Sequence, residues 1–248
     1  MSGSLCGKLA FVTGAGSGIG RATCRLLVRD GAKVIAADRN LKAAEETANV
    51  IGVDAVTAIE VDVSSFDSVC AAVSTTISKF QQAPSIVVNS AGITRDGYLL
   101  KMPERDFDDV YSINLKGTFM VTQQFAKAMI EHKITDGSIV NLSSIVAKMT
   151  NIGQANYAAT KAGVISLTEV ASKEFGKFGI RVNAILPGFI NTPMITTVPD
   201  KIKQQVMANC PLGRFGNPEE VAEVIVFLAS EKSSYVNGAS IAVTGGLK

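Results

Sequence analysis

TGAGSGIG, Thr13 to Gly20, decides how the rest of this 248-residue chain is read. It follows the apolar run LAFVT, Leu9 to Thr13, and opens an amphipathic stretch, so its glycines sit where a strand passes into a helix. At that junction Gly14, Gly18 and Gly20, with Ser17 and Ile19 between them, let backbone N–H groups come close to an anion at a helix N-terminus. The spacing G-x3-G-x-G departs from the more frequent G-x-G-x-x-G, although the mechanics are the same. Taken alone, such a loop can equally be a tight turn. A strand before it, a helix after it and an acid at the next strand end argue for a dinucleotide pyrophosphate.

The runs KVIAAD, AVTAIEVDV, SIVVNSAG, SIVNLSS, IRVNAILPG and SIAVTGG follow in turn, separated by longer stretches with helical apolar spacing. Near-continuous apolar runs in this alternation predict about seven parallel strands with helices on both faces, a single α/β Rossmann-type doubly wound domain over 1–248. Ligands of such sheets bind beyond the carboxyl ends of the strands. Candidate residues fall at those ends: Asp38 and Arg39 after the second run, Asp62 and Val63 in the third, Asn89, Ala91 and Gly92 in the fourth, Ser144 in the fifth, Pro187 and Gly188 in the sixth. The least regular region, 188–211, includes Ile190 and Thr192 and reads as a substrate lid.

Asp38 stands where a carboxylate accepts hydrogen bonds from adenosine ribose hydroxyls and repels a 2′-phosphate, which favours NAD(H) over NADP(H). Arg39 beside it argues the other way. Tyr157 and Lys161 lie four apart in NYAATKAGVISLTEVASKEF, so both project from one helix face. A phenol near pKa ~10 is a poor proton carrier at neutral pH, and a close ammonium is expected to bring it toward working range. Ser144 is expected to hold a substrate oxygen, and Asn114 to order a water that relays protons to Lys161. Any one of these is common on ordinary helices and turns; the four together beside the glycine loop point to hydride-transfer chemistry.

Composition excludes other classes. Lys and Arg number 24 against 22 Asp and Glu, so no basic field is present for nucleic acid or an anionic membrane surface. His132 is the only histidine, which leaves no Ser-His-Asp triad and no clustered metal ligands. Cys6, Cys24, Cys70 and Cys210 are far apart and predict free thiols. No stretch approaches the ~20 apolar residues of a membrane helix, so no membrane insertion is expected. Between Lys8 and Arg29 every charge is basic, which faintly suggests an organellar presequence. The plainer reading puts Arg21, Arg25 and Arg29 on the solvent face of the first helix.

TGAGSGIG, NSAG from Asn89 to Gly92, Asn114, Ser144, YAATK, Pro187-Gly188 and the closing VTGG resemble the short-chain dehydrogenase/reductase family over essentially the whole chain. AGITRDGYLLKM, LPGFINTPM and NPEEVAEVIVFLAS look most like the branch holding bacterial 3-oxoacyl-carrier-protein reductases and animal 17β-hydroxysteroid dehydrogenases of type 8. The resemblance implies an NAD(H)-dependent interconversion of a secondary alcohol and a ketone, on a hydroxysteroid or a 3-hydroxyacyl/3-oxoacyl thioester. It also implies a homotetramer, or a heterotetramer with a carbonyl reductase type 4-like subunit, in the mitochondrial matrix, the alternative being the cytoplasm. A different-class alternative is an NAD-binding subunit with a mainly structural role. Leu99, Leu100, Met102, Met149, Ile152, Met194, Ile195 and Val198 are expected to form an apolar rim, and each could equally pack a lid or a subunit contact.

Overall fold

The computed structural model describes residues 3–195, 198 and 200–247. Seven strands form one parallel sheet in the order β3-β2-β1-β4-β5-β6-β7. They are β1 (Leu9–Thr13), β2 (Lys33–Asp38), β3 (Val56–Glu60), β4 (Ile86–Asn89), β5 (Gly137–Leu142), β6 (Ile180–Pro187) and β7 (Ser240–Val243). The chain runs outward from β1 to β3, then returns to the other side of β1. That reversal opens a crevice beyond the ends of β1 and β4, where open parallel sheets bind their ligands.

Period-two alternation assigns each strand residue to one of two layers. Ala10, Val12, Val34, Ala36, Ile86 and Val88 pack against α1 (Gly18–Arg29), α2 (Leu41–Ile51) and α8 (Pro218–Ala229). Leu9, Phe11, Ile35, Val87 and Ile139 face α3 (Phe66–Phe80), α5 (Thr118–Glu131) and α6 (Ala155–Phe175). Apolar residues on both faces of every central strand are the physical reason that the runs read as continuous instead of alternating. Phe11 and Phe125, both fully buried with ring centroids 4.2 Å apart, anchor the second layer.

The third strand is shorter than its sequence run, because the chain turns after Glu60 and Asp62 accepts hydrogen bonds from the N–H and hydroxyl of Ser64 at 2.9 and 2.6 Å. Between α4 (Glu104–Val110) and α5 the helix widens into one π-helical stretch, Tyr111–Gly117, and Asn114 points inward from it. Such widenings concentrate at functional sites. In the region read as a lid, Ile190 bridges to Gly216 and α7 (Asp200–Asn209) follows; Thr196, Thr197 and Pro199 of that region lie outside the described residues. No described helix is long and apolar enough to cross a membrane.

Candidate active site

The turn after β1 is shaped by Gly14, whose φ of +64° suits a residue without a side chain. A Cβ there would lie 2.9 Å from the backbone of Ala91, so the glycine lets the β1 and β4 turns touch. The Thr13 hydroxyl fixes the same junction, accepting from the N–H groups of Ser90 and Ala91 at 3.1 and 3.2 Å. Ser17 precedes α1 in extended backbone without capping it, and no acid stands in the first turn. The positive end of α1 therefore faces the cleft without a carboxylate of the chain against it, which suits a pyrophosphate.

Asp38 ends β2 on the floor of the same cleft, and both of its carboxylate oxygens are held. Oδ2 accepts from the Gly16 N–H and Oδ1 from the Asn40 N–H, each at 2.9 Å. Gly14, Ser17, Gly18, Ile19, Gly20, Arg39, Asp62, Val63, Ala91, Gly92, Pro187, Gly188, Ile190 and Thr192 line this cleft with Asp38. Ser144, Tyr157 and Lys161 line its far end. One cavity thus carries a phosphate cradle, a ribose-sized acid and a cluster of proton-bearing side chains. Among the described residues no group of three His, Cys, Asp or Glu is placed to hold a metal ion.

Tyr157 and Lys161 emerge from the first turns of α6, and both are buried. The Ser143 hydroxyl donates to the Lys161 carbonyl at 2.7 Å, which pins the helix to the end of β5. The Lys161 ammonium donates to the Leu142 carbonyl at 2.7 Å and lies 5.7 Å from the centre of the Tyr157 ring. Burial pulls the Lys161 ammonium down to about 8. Burial pushes the Tyr157 phenol up to about 12, against the hydrogen bond from Ser144, and the charge of Asp96 pushes in the same upward direction. The ammonium is expected from the sequence to depress the phenol; in the structure burial raises it. Burial thus favours the neutral phenol at Tyr157.

One sequence expectation is corrected. Asn89 is not in the cleft wall: it is buried, and its amide donates to the Thr122 hydroxyl at 3.0 Å and to Asn141 Oδ1 at 2.8 Å. Asn114 is fully buried, and its side chain is committed to both backbone groups of Ile93 at 2.9 Å. Its amide therefore fixes the loop after β4, with one of its two N–H donors used on the Ile93 carbonyl. Arg25 and Arg29 are exposed on the solvent face of α1, as expected, where they pair with Glu219 and Glu223 of α8, while Arg21 is drawn under the glycine loop. Cleft residues that sequence reasoning missed include Ser90, Ile93, Ile113 and Ser143; all but Ile113 are chain neighbours of residues already singled out at strand ends.

Met194 and Ile195 line the cleft, whereas Leu99, Leu100 and Ile152 are exposed and are not among its lining residues.

A family model described as enoyl-(acyl carrier protein) reductase matches residues 14–248. The (3R)-3-hydroxyacyl-CoA dehydrogenases of dog and human are 49% and 48% identical to this chain, covering 96% of it and 95% of their own length. The 3-oxoacyl-[acyl-carrier-protein] reductase of Thermotoga maritima is 46% identical over 97% of this chain and 98% of its own. A solved structure named ribose-5-phosphate isomerase, from Brucella melitensis, superposes with a TM-score of 0.92 at 37% identity, covering 100% of this chain and 95% of that one. A shared fold does not choose the reaction; the residues in the cleft do. With the glycine loop, the Ser-Tyr-Lys cluster and these full-length relatives together, the chain belongs to the short-chain dehydrogenase/reductase family of oxidoreductases.

Proposed function

We propose that this protein is an NAD(H)-dependent reductase/dehydrogenase that interconverts a 3-oxoacyl and a 3-hydroxyacyl thioester. The observation that carries this reading is the meeting, in one cleft, of the uncapped α1 terminus and Asp38 with Ser144, Tyr157 and Lys161. The residues fit a dinucleotide: the N–H groups at the start of α1 would hold its pyrophosphate and Asp38 would accept from its adenosine ribose. When bound, the nicotinamide supplies or takes up the hydride.

The remaining chemistry belongs to the chain. Ser144 donates a hydrogen bond to the substrate oxygen, which stabilises the charge that develops there. The Tyr157 O–H gives up its proton to that oxygen as it becomes an alcohol, and Lys161, protonated below about 8, stabilises the tyrosinate that is left. Asn114 acts through Ile93 and holds the loop beside Lys161; a Cβ on Gly92 would lie 3.3 Å from Asn114 Oδ1 and 3.5 Å from Lys161 Nζ. With the phenol pushed up to about 12, Tyr157 remains a proton donor through the physiological range, which suits reduction of the ketone.

The sign of the pH dependence follows. Below about 8 Lys161 carries its charge, and above it the charge is lost. The kcat/KM for ketone reduction is expected to be level at pH 6–7 and to fall by about tenfold per unit well above 8. Steady-state rates across pH 6–10 check this; a profile that rises above pH 8 would contradict it.

The names of the full-length relatives support a thioester substrate, and Met194 and Ile195 give the cleft an apolar wall for an acyl chain. A 17β-hydroxysteroid is a second substrate for the same groups, supported by the same wall and by likeness to the steroid branch. Competition between a medium-chain 3-oxoacyl thioester and estrone under one cofactor separates them: the expected result is a kcat/KM at least ~10-fold higher for the thioester, and the reverse order would overturn the assignment. A tetrameric assembly, homomeric or with a carbonyl reductase type 4-like subunit, a lid over 188–211 and a mitochondrial matrix address complete the proposal on the family likeness.

A further inference from the structure

Arg21 does not line the cleft, yet its guanidinium is the most connected group beneath it. Nη2 donates to the Gly16 carbonyl and lies 3.5 Å from the Ala43 carbonyl and 3.4 Å from Glu46 Oε2. Nε donates to the Thr47 hydroxyl at 2.9 Å, and that fully buried hydroxyl donates to the Ala15 carbonyl at 2.8 Å. One side chain on α1 thus ties the two central carbonyls of the glycine loop to α2, directly at Gly16 and through Thr47 at Ala15.

The other side of Gly16 faces the cofactor acid. Its N–H is the donor that holds Asp38 Oδ2, and a Cβ on Gly16 would lie 2.9 Å from that oxygen and 2.7 Å from Ala43 Cβ. Gly16 therefore has its carbonyl fixed by Arg21 and its N–H fixed on Asp38, with no room to shift toward α2. A guanidinium is suited to this, because its planar fork reaches a carbonyl and a hydroxyl at once, which an ammonium cannot do in the same geometry. An arginine this near the positive end of a helix opposes the dipole, and the carbonyls it meets compensate.

We infer that Arg21 is a positioning residue for cofactor choice: acting through Gly16 and Thr47, it holds the Asp38 carboxylate in the orientation that accepts a ribose diol and rejects a 2′-phosphate. The second half of this inference rests on the dinucleotide reading of the cleft; the first half, that Arg21 holds the loop, does not.

The test uses the full chain with Arg21→Ala, Arg21→Lys and Thr47→Val. In cofactor-free protein, hydrogen exchange at the Gly16 and Ser17 amides is expected to be about tenfold faster in Arg21→Ala, with the β4 and β5 amides unchanged. NADH titrations are expected to show Kd raised about tenfold, KM raised in parallel and kcat at saturation within about twofold, with the NADH/NADPH ratio of kcat/KM reduced. Arg21→Lys recovers part of the loss, and Thr47→Val shows a smaller loss in the same direction. Unchanged loop exchange overturns the inference. So does faster exchange with unaltered NADH affinity and cofactor ratio, or a loss in which kcat falls with thermal stability and Lys restores nothing. If wild-type protein binds neither dinucleotide, the cofactor reading of the cleft fails and the cofactor half of the inference fails with it, while the exchange result still decides whether Arg21 holds the loop.

Discussion

Tyr157→Phe is expected to lower turnover by about 10³-fold while NADH affinity and melting temperature stay close to wild type. A positioned general acid contributes about 10²–10⁴-fold, and no other described side chain in the cleft is placed to replace this one: Ser144 is an alcohol and Lys161 is held by the Leu142 carbonyl. The phenol is buried and its ring fills the site, so removal of the oxygen alone keeps the packing against Ile145, Val146 and Ala158. Stopped-flow turnover, NADH fluorescence titration and thermal melts check the three parts. A variant that binds NADH and turns over within tenfold of wild type would show that Tyr157 is not the proton donor and would revive the mainly structural reading of the chain.

The second large effect concerns Asp38. Its two oxygens are held by Gly16 and Asn40, so it cannot swing away from an incoming 2′-phosphate. Like charges forced together cost several kcal/mol, so wild-type protein is expected to prefer NADH over NADPH by at least ~100-fold in kcat/KM. Asp38→Ala removes the repulsion and leaves Arg39 in the cleft wall to meet the phosphate. The ratio is then expected to fall by about 100-fold, through poorer use of NADH and better use of NADPH. A ratio that does not move on substitution would show that Asp38 is a turn residue only.

The seven parallel strands and the residues at their ends were legible because they depend on features that leave a trace in one dimension, whereas the strand order comes from the structure alone. Long apolar runs fix which segments are buried on both faces, and the ends of parallel strands collect on one edge, so residues at those ends meet. Asn89 shows where this stops. An asparagine at a strand end reads the same whether it faces the cleft or its neighbour, and only the pairing of Asn89 with Asn141 across β4 and β5 decides the matter. Asn114 is similar, since the π-helical widening that turns it toward Ile93 carries no sequence pattern of its own. For Tyr157 and Lys161 the spacing revealed the pair but not its protonation, which is governed by the depth of burial. Arg21 did leave a signal: a cation close to the positive end of a helix needs acceptors, and the loop carbonyls supply them.

In the proposed reaction one cleft joins a dinucleotide grip to a tyrosine that protonates the ketone oxygen as hydride reduces the carbon. The most direct test is the rate of NADH oxidation by the purified protein with a 3-oxoacyl thioester, measured beside the same reaction with NADPH. Substrate-dependent NADH oxidation, lost in Tyr157→Phe and much weaker with NADPH, is the expected result. No turnover with either cofactor, or a clear preference for NADPH, would contradict it.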